Sequence, residues 1–183
     1  MDSISFNGKL AKSAHVNKLS TNKKYKKVPV AFVELSLNSQ KDFKALKKVV
    51  ASWALGDIYA NDVYQRFKMN VENKVTQPEE RFFVLTTQQA KLSNLKPEKI
   101  LGVAELYKPS GNKTEIEFLQ ANPKFLNPFE ERKITGIGKA MIASFLELIK
   151  DKEIVLFTTP KAQALYEKFG FKNVESNYMV LER

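Results

Sequence analysis

KITGIGKAMIASFLELIK, residues 133–150, is the stretch that decides the fold, because it joins a glycine turn directly to an apolar helical repeat. Apolar residues at 137, 141, 145 and 148 recur at the spacing of an amphipathic helix. Gly136 and Gly138 open that helix without a Cβ, and its first amides carry the positive end of the helix dipole. The stretch predicts a phosphate- or pyrophosphate-binding turn, and two glycines alone leave an ordinary loop-to-helix junction open.

The composition limits the sites that this chain can build. Its 183 residues are 43% hydrophobic, so one domain with a sizeable core is expected, and no apolar run approaches the roughly 20 residues of a membrane span. Cysteine is absent and His15 is the one histidine, which argues against disulfides, a cysteine nucleophile, a metal site and a Ser-His-Asp triad. The lack of cysteine fits a reducing compartment, and we expect a cytoplasmic protein.

Much of the net charge of +10 lies at the start of the chain, where residues 1–27 contain seven lysines and one aspartate. Such a segment suits either attraction to a polyanion such as RNA or a solvated, flexible leader. The lysines are not interleaved with aromatic residues for base stacking, which favours the leader. We therefore expect a basic leader over 1–27 and one domain over 28–183.

The rest of the chain alternates between strand and helix patterns. Within the strand that begins near residue 114, Glu115 and Glu117 should share one face and Ile116 and Phe118 the other. The element order predicts a mixed α+β fold with one central sheet. The expected elements are a strand at 28–37, helices at 41–54 (ended by Gly56) and 57–70, an antiparallel meander of strands at 81–87, 100–107 and 114–121, the glycine-opened helix, a strand at 153–159, a helix from Pro160 to Gly170 and a strand at 171–181.

Three segments resemble motifs of the GNAT-type N-acetyltransferases, in the order of that family. EIEFLQANP at 115–123 is similar to its fourth strand, E-I-x-x-L-x-V-x-P, and KITGIG at 133–138 is similar to its pyrophosphate loop, Q/R-x-x-G-x-G/A. AQALYEKFGF at 162–171 is similar to its A-x-x-L-Y-x-x-x-G-F block. The chain departs from the family in carrying Lys133 before the glycines, Thr159 in place of a common asparagine, and about seven extra residues around 125–131. The resemblance implies a single GNAT-like domain with a mostly antiparallel mixed sheet flanked by helices.

The resemblance also implies the chemistry, with acetyl-CoA as co-substrate and a primary amine as acceptor. It makes Tyr166 the acid for the leaving sulfur, and Glu115 or its competitor Glu117 the general base. Periodicity alone favours Tyr166 as a core aromatic, and only the L-Y-x-x-x-G-F context reverses this; either glutamate is equally a solvated or salt-bridged strand carboxylate. The implied cofactor-binding residues are Leu119, Ala121, Lys133, Ile134, Thr135, Gly136, Ile137, Gly138, Lys139 and Thr159.

The sequence leaves the acceptor and the oligomeric state open. A small molecule, a peptide or protein amine, and an amino acid carried on RNA are all compatible. The charge of +10 disfavours a cationic acceptor, unless Glu105, Glu115 and Glu117 make the cleft locally acidic. The alternative function is a non-catalytic acyl-CoA-binding regulator or an RNA-associated module, and the presence of both Tyr166 and the glycine loop favours the enzyme.

Overall fold

The sheet and helices of this protein are seen in a computed structural model that describes residues 9–53, 59–75, 79–109, 111–126, 129 and 131–183. The strands are β1 Lys9–Leu19, β2 Tyr25–Glu34, β3 Glu80–Thr86, β4 Ile100–Tyr107, β5 Lys113–Ala121, β6 Ile134–Thr135, β7 Glu153–Phe157, β8 Lys172–Glu175 and β9 Tyr178–Glu182. The helices are α1 Gln40–Trp53, α2 Tyr59–Glu72, α3 Ile137–Leu148 and α4 Pro160–Glu167, with short 3-10 turns at Pro97–Lys99 and Pro123–Phe125.

All of these strands belong to one sheet, in the order β6-β1-β2-β3-β4-β5-β7-β9-β8. Neighbouring strands are antiparallel except β5 and β7, which run parallel and are joined through α3. The predicted mixed, mostly antiparallel sheet and the meander β3-β4-β5 are therefore confirmed. None of the helices in the described ranges has the length and apolarity that a membrane crossing requires.

Two apolar cores hold the helices against opposite faces of the sheet. On one face, the rings of Phe32, Phe83 and Phe145 meet at centroid distances of 4.9 to 5.2 Å, and α3 and α4 pack there. On the other face, Phe67 of α2 meets Phe82 of β3 edge-on at 5.1 Å, and α1 packs beside it. The result is a three-layer arrangement with the sheet in the middle.

The largest departure from the sequence-based expectation concerns the leader. Residues 9–27 do not form a flexible segment, because β1 pairs with β2 along almost its whole length, from Lys9 opposite Glu34 to Leu19 opposite Tyr25. Val16 of β1 is buried in the same core as α3, which gives the strand an apolar anchor despite its lysines. The expected boundary at residue 28 therefore falls inside the sheet.

Other boundaries shift in smaller ways. The expected last strand at 171–181 is a hairpin of β8 and β9, because Ser176 adopts a left-handed conformation with φ of 49° and turns the chain. The first helix ends by Trp53 in the described range, and Gly56, which was expected to end it, lies outside the described residues.

A β-bulge in β5 changes which side chains share a face. Phe118 pairs with Glu105 of β4, but the next pair is Ile116 with Leu106, so Glu117 is an extra residue in the strand. A bulge shifts the alternation of side chains by one position. Ile116 consequently packs in the α3 core while Phe118 packs against the α2 core. The expectation that these two residues share a face was wrong.

The aromatic cluster around Phe145 should dominate the stability of the α3 face. We expect Phe145→Ala to lower the free energy of unfolding by about 3–5 kcal/mol, since it opens a large cavity in a fully buried ring cluster. Urea denaturation measures the change. The control is Phe157→Ala, whose ring is 68% exposed and whose loss should cost within about 0.5 kcal/mol. Equal losses in the two variants would contradict this account of the core.

Candidate functional site

The candidate site lies where the parallel strands β5 and β7 stop pairing. Their register runs from Lys113 opposite Glu153 to Ile116 opposite Leu156, and the bulge at Glu117 follows at once. Beyond this point, β5 continues with β4 as its one strand partner in the described sheet. An opening between the two strand ends results, and two cavities adjoin it.

The first cavity, which we call the loop cavity, has a volume of about 530 Å³. Its walls come from the end of β5, the turn between β6 and α3, and the inner side of α4. The residues expected from sequence that line it are Leu119, Ala121, Ile134, Thr135, Gly136, Ile137, Gly138 and Lys139. The structure therefore brings most of the predicted cofactor-binding residues together around one space.

The turn before α3 places a left-handed glycine directly beside the first amides of the helix. Gly136 adopts φ of 81°, a left-handed conformation that favours glycine, and α3 begins at the next residue. A Cβ on Gly138 would lie 3.1 Å from Leu165 and 3.9 Å from Leu119, both of which line the loop cavity. Glycine therefore keeps this part of the cavity open beside the first amides of the helix.

Two of the expected cofactor residues lie elsewhere. Lys133 is exposed and is not among the residues that line the loop cavity; its backbone carbonyl instead accepts a hydrogen bond from the amide of Leu19 at 2.9 Å. Thr159 lines the second cavity rather than the first. Arg132 and Lys161 supply side-chain cations to the loop cavity together with Lys139.

Sequence reasoning missed both Arg132 and Lys161. Arg132 directly precedes the residue chosen, in the segment just before β6. Lys161 follows Pro160 in the first turn of α4, a position whose neighbours in space cannot be read from one chain segment. Three cationic residues, Arg132, Lys139 and Lys161, thus line the cavity.

The N-terminal hairpin fixes the chain that enters the glycine turn. Asn17 and Lys18 of β1 pair with Thr135 and Ile134 of β6. The hydroxyl of Tyr25 donates a hydrogen bond of 2.9 Å to the backbone carbonyl of Arg132. These contacts hold the turn from the side opposite α4, which gives β1 a role in shaping the loop cavity.

The second cavity, which we call the aromatic cavity, has a volume of about 260 Å³. The rings of Tyr59, Phe118 and Phe157 line it, and so does Glu117 of the bulge. Tyr166 lines both this cavity and the loop cavity, as do Leu119 and Ala162. The two cavities therefore adjoin at Tyr166.

Tyr166 is held rigidly at this junction. It is buried on α4, and its ring meets Phe171 edge-on with the centroids 5.8 Å apart. Burial raises the pKa of its phenol to about 12. The hydroxyl makes no hydrogen bond to any residue in the described part of the chain, so near neutral pH Tyr166 is a protonated donor available to a ligand.

A network of charges on the α2 side reaches the aromatic cavity. Arg66 donates from Nη2 to Glu117 Oε1 at 2.8 Å and from Nη1 to Glu105 Oε1 at 3.3 Å. The guanidinium also lies over the ring of Phe118, 5.2 Å from its centroid. Arg66 thus links α2 to both strands at the bulge and holds the carboxylate of Glu117 at the cavity wall.

The other two carboxyl groups have altered proton affinities. Glu105 is fully buried and its Oε2 has no hydrogen-bond partner in the described residues; burial raises its pKa to about 8, against the opposing effect of Arg66. Burial and the neighbouring carboxylate of Glu117 also raise the pKa of Glu115. Glu115 lines neither the loop cavity nor the aromatic cavity. Of the two glutamates expected from sequence, Glu117 is the one placed against a cavity with Tyr166.

The buried carboxyl of Glu105 should make stability depend on pH. Between its ordinary pKa of 4.5 and about 8 the folded state holds a proton that the unfolded state has lost, so stability falls as pH rises, by at most about 1.4 kcal/mol per pH unit. Glu105→Gln cannot ionise. We therefore expect its stability relative to wild type to increase from pH 5 to pH 8 in urea denaturation.

The matched control is Glu98→Gln, which changes an exposed carboxyl on the turn before β4. Its stability should run parallel to that of the wild type across the same pH range. If the stability of Glu105→Gln also changed with pH in the same way as that of the wild type, Glu105 would not hold a proton in the folded protein.

No protein-family model matches the sequence, and no curated protein matches it. Solved structures do match, and three of them each cover 84% of this chain. A protein from Desulfovibrio desulfuricans assigned to the GNAT acetyltransferase family is 15% identical, with 98% of its chain covered and a TM-score of 0.55. A GNAT-family acetyltransferase from Staphylococcus aureus Mu50 is 14% identical, with 98% covered and a TM-score of 0.51.

A third match is a tyrosine-to-phenylalanine mutant of the AtaT toxin, bound to the C-terminus of the antitoxin AtaR and to acetyl-CoA. It is 12% identical to this chain, with 92% of its own chain covered and a TM-score of 0.52. At identities this low, the similarity supports a shared fold only. Each of the three matches covers nearly the whole of the other chain. The chain therefore has the fold of the GNAT-family acetyltransferases.

Proposed function

We propose that this protein transfers the acetyl group of acetyl-CoA to a primary amine. The observation that carries the proposal is the meeting of two cavities at Tyr166, one built around a glycine turn and the other bearing a carboxylate. A two-substrate transfer needs such a junction, because the reacting atoms of both substrates must come within about 3–3.5 Å of each other.

The loop cavity fits the coenzyme by the chemistry of its walls. The amides that open α3 and the cations Arg132, Lys139 and Lys161 suit a pyrophosphate. Past Ile116, β5 pairs with no other described strand on its β7 side, so the backbone of Leu119 and Ala121 can pair with the amides of a pantetheine arm as an added strand would. The AtaT structure, which shares the fold, contains acetyl-CoA and supports this assignment.

The proposed transfer requires two proton movements that the side chains at the junction can make. Acetyl-CoA supplies a thioester, with an acyl carbon open to attack and a thiol as leaving group. Glu117 accepts the proton that the amine loses as its nitrogen forms the bond to the acyl carbon. Tyr166 gives its phenolic proton to the sulfur as the carbon–sulfur bond breaks, and the products are an amide and the free thiol.

Burial changes the acid–base balance of Tyr166 but leaves it able to act as a donor. A phenol pKa of about 12 lies about 3.5 units above that of an ordinary thiol, a wider gap than the 1.5 units of the free groups. The departing thiolate forms in the same buried place, and desolvation raises its pKa in the same direction. The gap is therefore narrower at the moment of transfer than the free thiol value implies.

The alternative function is a regulator or RNA-associated module that binds an acyl-CoA without turnover. One assay distinguishes it from an enzyme. Coenzyme release that depends on an added amine supports the enzyme. Tight coenzyme binding without release, across a panel of small amines, peptides and aminoacyl-RNA, supports the alternative.

Removal of the Tyr166 hydroxyl should reduce turnover sharply. We expect Tyr166→Phe to lower kcat about 100-fold, since a positioned general acid contributes about 10²- to 10⁴-fold. The measurement is thiol release from acetyl-CoA with saturating amine, with circular dichroism to verify the fold. Tyr64→Phe, which alters a buried tyrosine of the α2 core, is the control and should keep wild-type kcat. Wild-type turnover in Tyr166→Phe would show that Tyr166 is not the general acid.

The two glutamates should differ in their effect on the pH profile. We expect Glu117→Gln to abolish the acidic limb of the kcat/KM profile and to lower its plateau by about 100-fold, because the base has been removed. Glu115→Gln should keep the limb, since Glu115 lines neither the loop cavity nor the aromatic cavity. The reverse assignment, in which only Glu115→Gln loses the limb, would make Glu115 the base.

A further inference from the structure

The aromatic cavity exposes more apolar surface than the fold requires. Phe157 at the end of β7 is 68% exposed and Tyr59 at the start of α2 is 46% exposed, yet both rings line the same 260 Å³ space. Large apolar side chains exposed together in a concave site are typical of a ligand surface. Stability gives no reason for Phe157 to be aromatic, because most of its ring remains in water.

The three rings that line the aromatic cavity come from three different elements, and neighbouring side chains hold them in place. Phe118 of β5 lies 6.1 Å from Tyr59 of α2, and Phe157 of β7 lies 5.1 Å from Tyr178 of β9, measured between ring centroids. Arg66 covers Phe118 on the α2 side, and Lys113 donates a hydrogen bond of 2.9 Å to the Tyr178 hydroxyl. These contacts give the cavity preformed flat walls that a flat apolar group can fill.

The charge at the wall is negative although the protein as a whole is basic. Glu117 lines the aromatic cavity and Glu115 stands close enough to influence it, against the guanidinium of Arg66, while Glu105 keeps its proton near neutral pH and adds no charge. An ammonium group is attracted both by such a carboxylate and by the faces of aromatic rings. A group with many hydroxyls would lose hydrogen bonds to water against the aromatic walls.

Resting on the proposed function, we propose that the acceptor is a primary amine whose neighbouring carbons carry a flat apolar group. The ammonium binds at Glu117 and gives one proton to water, and Glu117 then accepts the second proton as the nitrogen attacks the acyl carbon. The apolar group lies between the rings of Tyr59, Phe118 and Phe157. A space of 260 Å³ equals about nine water volumes, which is room for one ring with a short linker. Phe157 and Tyr59 are the specificity-determining residues.

Two sources share this chemistry, a free arylalkylamine and the amino-terminal phenylalanine of a peptide. The experiment therefore compares 2-phenylethylamine, phenylalanyl-glycinamide and ethanolamine, which has a hydroxyl in place of the ring. We expect the wild type to use one or both aromatic amines with a kcat/KM at least tenfold above that of ethanolamine. Which of the two is preferred identifies the source.

The variant Phe157→Ala tests the wall directly. We expect its kcat/KM for the preferred aromatic amine to fall about tenfold and that for ethanolamine to change less than twofold, since only the ring contact is lost. Val174→Ala, which removes an exposed apolar side chain from β8, should leave both values unchanged. Equal use of ethanolamine and aromatic amines by the wild type would overturn the proposal, and so would an equal loss for both amines in Phe157→Ala.

A binding measurement separates this inference from the proposed function. Isothermal titration of 2-phenylethylamine and phenylalanyl-glycinamide without acetyl-CoA should show binding of at least one to the wild type, and about tenfold weaker binding to Phe157→Ala. If no amine supports coenzyme release but this difference is found, the transferase proposal fails and the cavity assignment stands. If coenzyme release occurs but neither aromatic amine binds, the cavity assignment fails alone.

Discussion

The parallel contact between β5 and β7 is the constraint on which the site depends. It holds the two halves of the sheet together over only four pairs, and the bulge at Glu117 follows directly. A longer parallel ladder would close the opening and leave no room for either cavity. A bulge at this position also rotates β5, so that Ile116 remains in the α3 core while Phe118 and Glu117 face α2. The same local irregularity therefore opens the sheet and places the carboxylate.

Burial rather than net charge sets the electrostatics of the site. The chain carries +10 overall, yet the α2 side of the opening has Glu105, Glu115 and Glu117 around Arg66. Burial keeps the proton on Glu105 up to a pKa of about 8, so near neutral pH most of the charge of Arg66 is directed at Glu117. The same effect keeps Tyr166 protonated. A partly exposed carboxylate and a buried, protonated phenol thus stand together at the junction of the two cavities.

The N-terminal hairpin shows how a basic segment becomes part of the site. β1 has lysines on its exposed positions, but Val16 anchors it in the core and its backbone pairs with β2 and β6. The pairing with β6 fixes the chain immediately before Gly136, and Tyr25 holds the carbonyl of Arg132. The glycine turn is therefore held by backbone hydrogen bonds on one side, and Leu165 of α4 lies against it on the other.

The sequence by itself determined the features that depend on neighbouring residues. Helical spacing located α3 and the other helices, Gly136 and Gly138 located the turn, and the meander of β3, β4 and β5 followed from strand and turn patterns. The motif around Tyr166 identified the residue that the structure places between the cavities. Only the tertiary structure decided which of Lys133 and Arg132 faces the loop cavity, that β1 joins the sheet, and that Glu117 rather than Glu115 lines a cavity. The physical reason is that strand pairing, bulges and shared charge networks such as Arg66 with Glu105 join residues far apart in the chain, and no local pattern encodes their register.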